Sequence, residues 1–248
     1  MMQTAIFAAK AAGNFSKNCF QKTQQLFYKE QEEVFTQTDV QAEALIKDII
    51  RKEFPKHNIL GEETGLTKES KSDYTWIIDP LDGSENFTRG IYLYGISIAL
   101  AIKNEVKIAT VFNPLTNELF SAEKGKGAFL NGKPISVSQR SELSKAVIYG
   151  TELYKSKEYL KPLFDKVKNL RITSSSAYET CLVACGRIEG FVKVTTHPWG
   201  FAAANLIVEE AGGQVTNFDG STWDTRSNKI LSSNKVLHQE LLDLINQK

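Results

Sequence analysis

The feature that most constrains this chain is the segment at residues 76–87, Trp-Ile-Ile-Asp-Pro-Leu-Asp-Gly-Ser-Glu-Asn-Phe. Its opening apolar residues predict a buried strand, and we expect Pro80 to end the hydrogen-bonding ladder of that strand and to stiffen the following turn. Asp79 then lies at the strand end and Asp82 comes three residues later, so both carboxylates can face one site. Together with the Leu81 carbonyl between them, they offer the hard oxygen ligands that Mg2+ prefers.

The two residues after Asp82 suit an anionic ligand. Gly83 has no side chain, so the backbone can approach a ligand closely there. A helix that begins at Gly83 or Ser84 would present free N–H groups to a phosphate, and the Ser84 hydroxyl could orient an attacking water. Asp-Pro and Asp-Gly pairs also occur in plain surface turns, but the whole string behind a strand is more specific than either pair.

Two further stretches carry candidate functional residues. Residues 61–65, Gly-Glu-Glu-Thr-Gly, follow a short strand candidate, and a carboxylate of Glu62 or Glu63 could ligate a metal and act as a base toward water in a two-metal site. Taken alone, that stretch is explained more simply as a solvated acidic turn. Residues 197–213 predict a helix with Gly200 at its N-cap and with a pair of glycines at its end.

The pattern along the chain predicts two halves. Residues 2–28 have helical spacing, with Ile6, Ala9, Phe20, Leu26 and Phe27 as inward positions. A second amphipathic helix follows, with Thr38 or Asp39 as its cap. Strand candidates then occur at 58–60, 74–78, 94–102, 106–112, 120–122 and 128–130, the last followed by a hairpin turn at Asn131 and Gly132. Strands and helices alternate from about residue 146, so we expect an α+β half at 1–145 that carries the metal-binding motifs and an α/β half at 146–248 that completes the active site.

Composition limits the partners that the chain can be expected to have. Its 30 basic and 29 acidic residues give a formal charge of +1, which offers no reason to expect nucleic acid or a membrane. Its three cysteines do not suggest a disulfide framework, and charged residues interrupt the apolar N-terminal stretch too early for a secretion signal. We therefore expect a cytoplasmic protein.

The three stretches together resemble the inositol monophosphatase family of magnesium-dependent, lithium-sensitive phosphatases. Residues 61–63, 76–87 and 199–213 match the three motifs of that family in order, and residues 36–39 and 124–132 match further family stretches. The likeness runs from about residue 5 to residue 240. It implies a layered α/β/α/β/α sandwich of the sugar phosphatase type, usually a homodimer, that hydrolyses small phosphate monoesters with Mg2+.

The resemblance also implies roles for individual residues. Glu62, Asp79 and the Leu81 carbonyl would bind the metal that activates water. Asp79 and Asp82 would bind a second metal.

The remaining roles concern the phosphate and the attacking water. Gly83 and Ser84 would hold phosphate through backbone N–H groups. Asp39 corresponds to an acid that supports the family's threonine, for which Ser84 stands here.

Two departures from the family pattern bear on activity. The family's Trp-Asp pair is Trp199-Gly200 here, and the missing carboxylate should weaken the second metal and reduce turnover. Lys193 stands where inositol-selective members have an acid that contacts sugar hydroxyls. It could pair with a second phosphate or a carboxylate of a substrate, or it could be a solvated lysine at a strand end.

These observations lead to one main hypothesis and two alternatives. The main hypothesis is Mg2+-dependent hydrolysis of an inositol monophosphate-like compound or a sugar phosphate by a metal-activated water. One alternative within the enzymes is a 3′-phosphonucleotide or fructose bisphosphate phosphatase. The other, which Gly200 favours, is a non-catalytic relative that binds a phosphate ligand or a protein partner.

Overall fold

The structure is a computed structural model of the chain, and it describes residues 1–28, 34–67, 71–151, 153–195 and 197–247. The helices are α1 (Met2–Cys19), α2 (Gln37–Glu53), α3 (Ser84–Thr88), α4 (Leu153–Leu160), α5 (Ser176–Ala184), α6 (Ala202–Glu210) and α7 (His238–Ile245). The strands are β1 (Leu26–Tyr28), β2 (Val34–Thr36), β3 (Asn58–Gly61), β4 (Gly65–Thr67), β5 (Tyr74–Asp82), β6 (Gly95–Ile102), β7 (Glu105–Asn113), β8 (Glu118–Glu123), β9 (Ala128–Leu130), β10 (Lys133–Pro134), β11 (Val147–Gly150), β12 (Asn169–Ile172), β13 (Gly190–Val194), β14 (Gln214–Asn217) and β15 (Lys229–Ser233). No helix within these ranges is both long and apolar enough to cross a membrane.

A large sheet forms the first half of the molecule. Its strand order is β10-β9-β8-β7-β6-β5-β3-β4, and its pairs are antiparallel except for β3 with β5. Successive side chains on a strand point to opposite faces. Trp76 and Ile78 therefore pack with residues of α1 and α2, whereas Ile77 packs on the other face with residues of α5 and α6.

A second sheet completes a five-layer sandwich. Its order is β12-β11-β13-β15-β14, with parallel pairs among the first three strands and antiparallel pairs among the last three. One apolar cluster joins α5 and α6 to both sheets, and another joins α4 and α7 to the outer face of the second sheet. The layers are thus α/β/α/β/α, which confirms the predicted fold class.

The predicted helix at residues 2–28 is wrong beyond Cys19. Residues Leu26–Tyr28 form a strand that pairs with Val34–Thr36, and the Phe27 and Phe35 rings lie 5.2 Å apart between centroids. Leu26, expected to point inward, is 43% exposed. Pairing with a later segment outweighs local helical spacing here.

Strand β5 also departs from prediction, because it does not stop at Pro80. Asp79 lies opposite Ser97 and Asp82 lies opposite Gly95, so β5 has one more residue than β6 between the two pairs. This is a β-bulge, and proline is tolerated at a bulge because its missing N–H is not needed there. Side chains three residues apart would normally point to opposite faces. The extra residue explains how Asp79 and Asp82 come to line the same cleft.

The helix caps differ from prediction by one to three residues. Thr36, not Thr38 or Asp39, caps α2, and Asp39 completes a capping box by accepting from the Thr36 backbone N–H. Phe201, not Gly200, is the N-cap of α6, because the N–H groups of Phe201 and Ala202 both bond to the Pro198 carbonyl in a turn before the helix.

Two further features concern the strands, one predicted from the sequence and one not. The hairpin turn is confirmed, since Asn131 and Gly132 both have positive φ and join the paired strands β9 and β10. Strand β14 was not predicted.

Candidate active site

An open cleft of about 1180 Å³ lies where the ends of β5 and β13 meet the start of α3. Every predicted site residue except Asp39 lines it: Glu62, Asp79, Leu81, Asp82, Gly83, Ser84, Lys193 and Gly200. Asp39 belongs to the same site, because it is buried and bonded to Ser84.

Glu62 and Asp79 form a carboxyl pair at one edge of the large sheet. Strands β3 and β5 are parallel, so the residues that follow Gly61 and Ile78 meet at the same edge, where the Glu62 N–H bonds to the Ile78 carbonyl at 3.2 Å. Burial raises the pKa of Asp79 well above its usual range, and the neighbouring carboxylates of Glu62 and Asp82 raise it further. A divalent cation would relieve this repulsion.

Asp82 ties the cleft to the second half of the chain. Its Oδ2 accepts hydrogen bonds from the Ser175 hydroxyl at 2.7 Å and from the N–H groups of Ala177 and Tyr178 at 3.0 and 3.1 Å. The carboxylate therefore satisfies N–H groups in the first turn of α5. Burial nevertheless raises the pKa of Asp82, against the opposing effects of Lys193 and these hydrogen bonds.

Ser84 and Asp39 form a hydroxyl–carboxylate pair at the start of α3. Ser84 Oγ donates to Asp39 Oδ1 at 2.5 Å and also lies 2.9 Å from the Leu81 carbonyl oxygen. The other oxygen, Asp39 Oδ2, accepts from the Thr36 N–H at 2.8 Å and the Thr36 hydroxyl at 2.6 Å. Burial raises the pKa of Asp39, while the bonds from Ser84 and Thr36 oppose the rise. One carboxylate thus completes the capping box of α2 and orients Ser84.

Gly83 occupies a position that excludes larger residues. Its φ of 93° lies in the left-handed region, and a Cβ there would come within 3.0 Å of the Leu93 carbonyl oxygen and 3.1 Å of Ser175 Cβ. The helix that follows has only five residues, and its Asn86 side chain bonds to the carbonyls of Leu93 at 2.7 Å and Thr173 at 2.5 Å. The backbone around the predicted phosphate position is therefore held from both halves of the chain.

Two residues that support the site, Glu43 and Lys47, were not predicted from the sequence. Asp39, Glu43 and Lys47 follow one another at four-residue intervals on α2 and are all buried; we call them the α2 polar stripe. Glu43 accepts from the Glu63 N–H at 2.8 Å and from the Thr64 hydroxyl at 2.5 Å, and Lys47 donates to the same hydroxyl at 2.8 Å. The four-residue spacing was the available signal, because it places three charged residues on one helix face.

The α2 polar stripe also explains a glycine in the Glu62 loop. A Cβ on Gly61 would lie 2.4 Å from the Glu43 carboxyl carbon. The loop can approach α2 this closely only because residue 61 has no side chain.

Comparison with known proteins identifies the family. The chain matches the family model of the inositol monophosphatase family over residues 1–248. This protein belongs to the inositol monophosphatase family. It is 37% identical to inositol monophosphatase 3 of Solanum lycopersicum over 99% of this chain and 96% of that one, and 35% identical to the Nus factor SuhB of Escherichia coli strain K12 over 98% and 94%. A solved structure of a Thermotoga maritima IMPase superposes with a TM-score of 0.92 at 33% identity, covering 99% of this chain and 96% of that one.

Membership in the inositol monophosphatase family supports a phosphatase-type function, and it makes the departure at Gly200 informative. Lys193 lies within β13 and is only 4% exposed, so the interpretation of it as a solvated lysine at a strand end is wrong. Its Nζ donates to the Gly200 carbonyl at 2.9 Å. A Cβ on Gly200 would lie 2.8 Å from that Nζ and 4.0 Å from Asp79 Oδ2.

No later aspartate replaces the missing carboxylate. Asp219 accepts hydrogen bonds from Ser221, and Asp224 pairs with Arg226. Neither aspartate is among the residues that line the cleft.

The donor set fits one Mg2+ and does not fit two. The buried Asp79 and the half-buried Glu62 are a carboxyl pair near Leu81, and Mg2+ completes its shell with water in sites of this kind. Within the described ranges, no three carboxylate, imidazole or thiol side chains converge as a metal site on their own. The second position has a glycine where the family has a carboxylate, and an ammonium lies beside it.

Proposed function

We propose that this chain hydrolyses a small phosphate monoester, an inositol monophosphate-like compound or a sugar phosphate, with the help of Mg2+. The observation that carries the proposal is the placement of two pairs at one cleft. The Glu62–Asp79 carboxyl pair provides cation ligands, and the Ser84–Asp39 pair provides an oriented hydroxyl. Metal-assisted hydrolysis of a phosphate ester uses both a cation and an oriented water.

Glu62, Asp79 and the Leu81 carbonyl would hold the Mg2+. When bound, the ion would act as a Lewis acid toward the phosphate oxygens and lower the pKa of a water ligand. The closeness of the two carboxyl groups favours cation binding, because a bound cation removes the repulsion that adds to the effect of burial on the Asp79 pKa.

Ser84 would orient the attacking water. A hydroxyl has a single proton to donate, and the 2.5 Å bond to Asp39 uses it. The lone pairs of Ser84 Oγ are then the acceptors that a water in the cleft can use. The N–H groups of Gly83 and Ser84 would hold the phosphate, and Gly83 permits this close approach because of its left-handed backbone.

The substrate is proposed from the relatives and from the cleft. The Solanum lycopersicum relative and the Thermotoga maritima structure both bear the name of inositol monophosphatases. Lys22, Arg89, Lys155 and Lys193 add positive charge to the cleft lining, which suits a phosphorylated metabolite. The same cations keep a 3′-phosphonucleotide or fructose bisphosphate as the alternative substrate.

A non-catalytic role is the second candidate, and the position of the Lys193 ammonium beside Gly200 favours it. The Escherichia coli relative of similar length bears the name of a Nus factor. We propose a homodimer in either case, from the family resemblance alone.

Phosphate release decides between these candidates. We would assay inositol 1-phosphate, glucose 1-phosphate, fructose 1,6-bisphosphate and adenosine 3′-phosphate with Mg2+, and repeat each assay with excess chelator. We expect Mg2+-dependent release from at least one monoester and none from Asp79→Asn. Release that persists with chelator contradicts the metal-dependent mechanism, and absence of release from every compound favours the non-catalytic candidate.

A further inference from the structure

The second-metal position contains a fixed positive charge that belongs to the protein. Lys193 lies on β13, which is bonded on one side to β11 and on the other to β15, with Lys193 opposite Ile230. A residue in a central strand has little backbone freedom, and this side chain is 4% exposed. Its ammonium is anchored by the 2.9 Å bond to the Gly200 carbonyl.

The ammonium faces the carboxylates that a second cation would otherwise neutralise. Burial raises the pKa of both Asp79 and Asp82, and neighbouring acids add to the rise at Asp79, but Lys193 opposes the rise at both. Like a metal ion, an ammonium supplies positive charge. Unlike a metal ion, it cannot coordinate an oxygen by accepting its lone pair, and it repels a nearby divalent cation. One charged group is therefore present where the second ion would have to bind.

The position of the Lys193 ammonium depends on the absence of a side chain at Gly200. With a side chain at position 200, the first carbon would lie 2.8 Å from Lys193 Nζ. Glycine leaves room for the ammonium, and the ammonium compensates for the lost ion. A divalent cation, the aspartate at position 200 and the acid that inositol-selective members have at position 193 sum to zero, whereas Lys193 beside glycine gives +1. The exchange therefore keeps positive charge at the site without a second ion.

We propose that Lys193 replaces the second metal ion, so that this chain binds one divalent cation per active site. The proposal rests on the proposed function for the first cation, held by Glu62 and Asp79. Replacement of the metal ion by Lys193 predicts a different result for Gly200→Asp than the simple loss of a metal ligand does. In Gly200→Asp alone, the new carboxylate would pair with Lys193 and would not bind a second ion. A second ion requires Lys193→Met in addition.

Mn2+ binding tests this directly, because Mn2+ takes the same oxygen ligands as Mg2+ and its free form is measured by electron paramagnetic resonance. We would titrate the full chain, Gly200→Asp, and Lys193→Met/Gly200→Asp. The control is Lys126→Met/Gly200→Asp, which removes a surface lysine of 67% side-chain exposure. Circular dichroism melts establish that each variant is folded.

The expected stoichiometry is one Mn2+ for the wild-type chain, one for Gly200→Asp, one for the control, and two for Lys193→Met/Gly200→Asp. Two ions on the wild-type chain or on Gly200→Asp overturn the proposal, as does a folded Lys193→Met/Gly200→Asp that binds only one. If Lys193→Met/Gly200→Asp does not fold, Gly200→Asp alone still decides. A wild-type chain that binds no Mn2+ instead overturns the metal site of the proposed function.

Discussion

Two buried polar clusters in this molecule treat charge in opposite ways. In the second half, the His238 ring bonds to the Thr216 hydroxyl at 2.9 Å and to the Ser233 hydroxyl at 2.7 Å, so both nitrogens have neutral partners. Burial lowers the pKa of His238 to about 4, and the ring is neutral at pH 7. At the cleft, burial raises the pKa of Asp79, and repulsion from the two neighbouring acids raises it further.

The difference separates a structural cluster from a functional one. Buried polar groups stabilise a fold when each has a hydrogen-bond partner and no net charge. The cleft carboxyl groups retain a repulsion that a bound cation would remove, which is expected of a binding site. We therefore expect removal of the Asp79 charge to change activity without loss of stability, and substitutions around His238 to do the reverse.

The largest expected effect is that of Asp79→Asn. Removal of a proposed cation ligand should lower kcat/KM about 10³-fold, equivalent to roughly 4 kcal/mol. It also removes one of the repelling charges, so the free energy of unfolding without metal should be unchanged or about 1 kcal/mol higher at pH 7. Phosphate release and urea unfolding in chelator measure the two effects. A clear loss of stability in Asp79→Asn would break the comparison.

The next effect is the pH dependence that His238 contributes to stability. The unfolded histidine has a pKa of about 6.5 and the folded one about 4, so between these values the unfolded chain binds more protons and stability falls as pH falls. From pH 7 to pH 4 the wild-type chain should lose about 3 kcal/mol more than His238→Gln. Urea unfolding at several pH values measures this, with the exposed His197→Gln as control. Equal losses in wild type and His238→Gln would show that His238 is not held neutral.

A smaller effect is expected at Ser84, where the comparison can be sharpened within the cleft. Ser84→Ala removes the oriented hydroxyl and should lower kcat/KM about 10²-fold. Ser84→Thr keeps the hydroxyl beside Asp39 and should retain most of the activity. Equal activity of Ser84→Ala and wild type in the phosphate-release assay would exclude a role in orienting water.

The smallest effect concerns the α2 polar stripe, which we expect to contribute both to the stability of the fold and to the function of the site. Glu43→Gln keeps the shape of the side chain but weakens its bonds to Glu63 and Thr64, at a cost of about 1 kcal/mol in the free energy of unfolding. Because these bonds position the Glu62 loop, the Mg2+ concentration needed for half-maximal activity should also rise. Glu142→Gln, in an exposed ion pair, is the control and should change neither quantity. A loss of stability with unchanged Mg2+ dependence would make the stripe structural only.

The family resemblance implied the layers of the fold, and most of the residues proposed for the site line one cleft in the structure. Apolar periodicity and the carboxylate-rich segment identified β5, α3 and the cleft residues, because both signals are local. The bulge at Pro80 was not predictable, since it depends on register against β6, which brings Asp82 opposite Gly95. The strand at residues 26–28 depends in the same way on a distant partner.

The burial of Lys193 was not predictable from the sequence either, and the reason is energetic. A lysine between apolar strand residues suggests exposure, because burial of an unpaired ammonium costs several kcal/mol. Its actual burial is tolerated because Asp79, Asp82 and the Gly200 carbonyl surround it. These partners come from two segments of the chain, β5 and the turn before α6, and only the fold brings them to Lys193.

The dependence of α5 on the Asp82 carboxylate has a consequence for synthesis on the ribosome. The N–H groups of Ala177 and Tyr178 bond to Asp82, and one face of the large sheet is covered by Cys181 and Ile207. When residue 145 leaves the ribosome, that sheet face and that carboxylate still lack their partners. We expect the nascent chain to remain open to chaperones until α6 has emerged, and then to close in one late step.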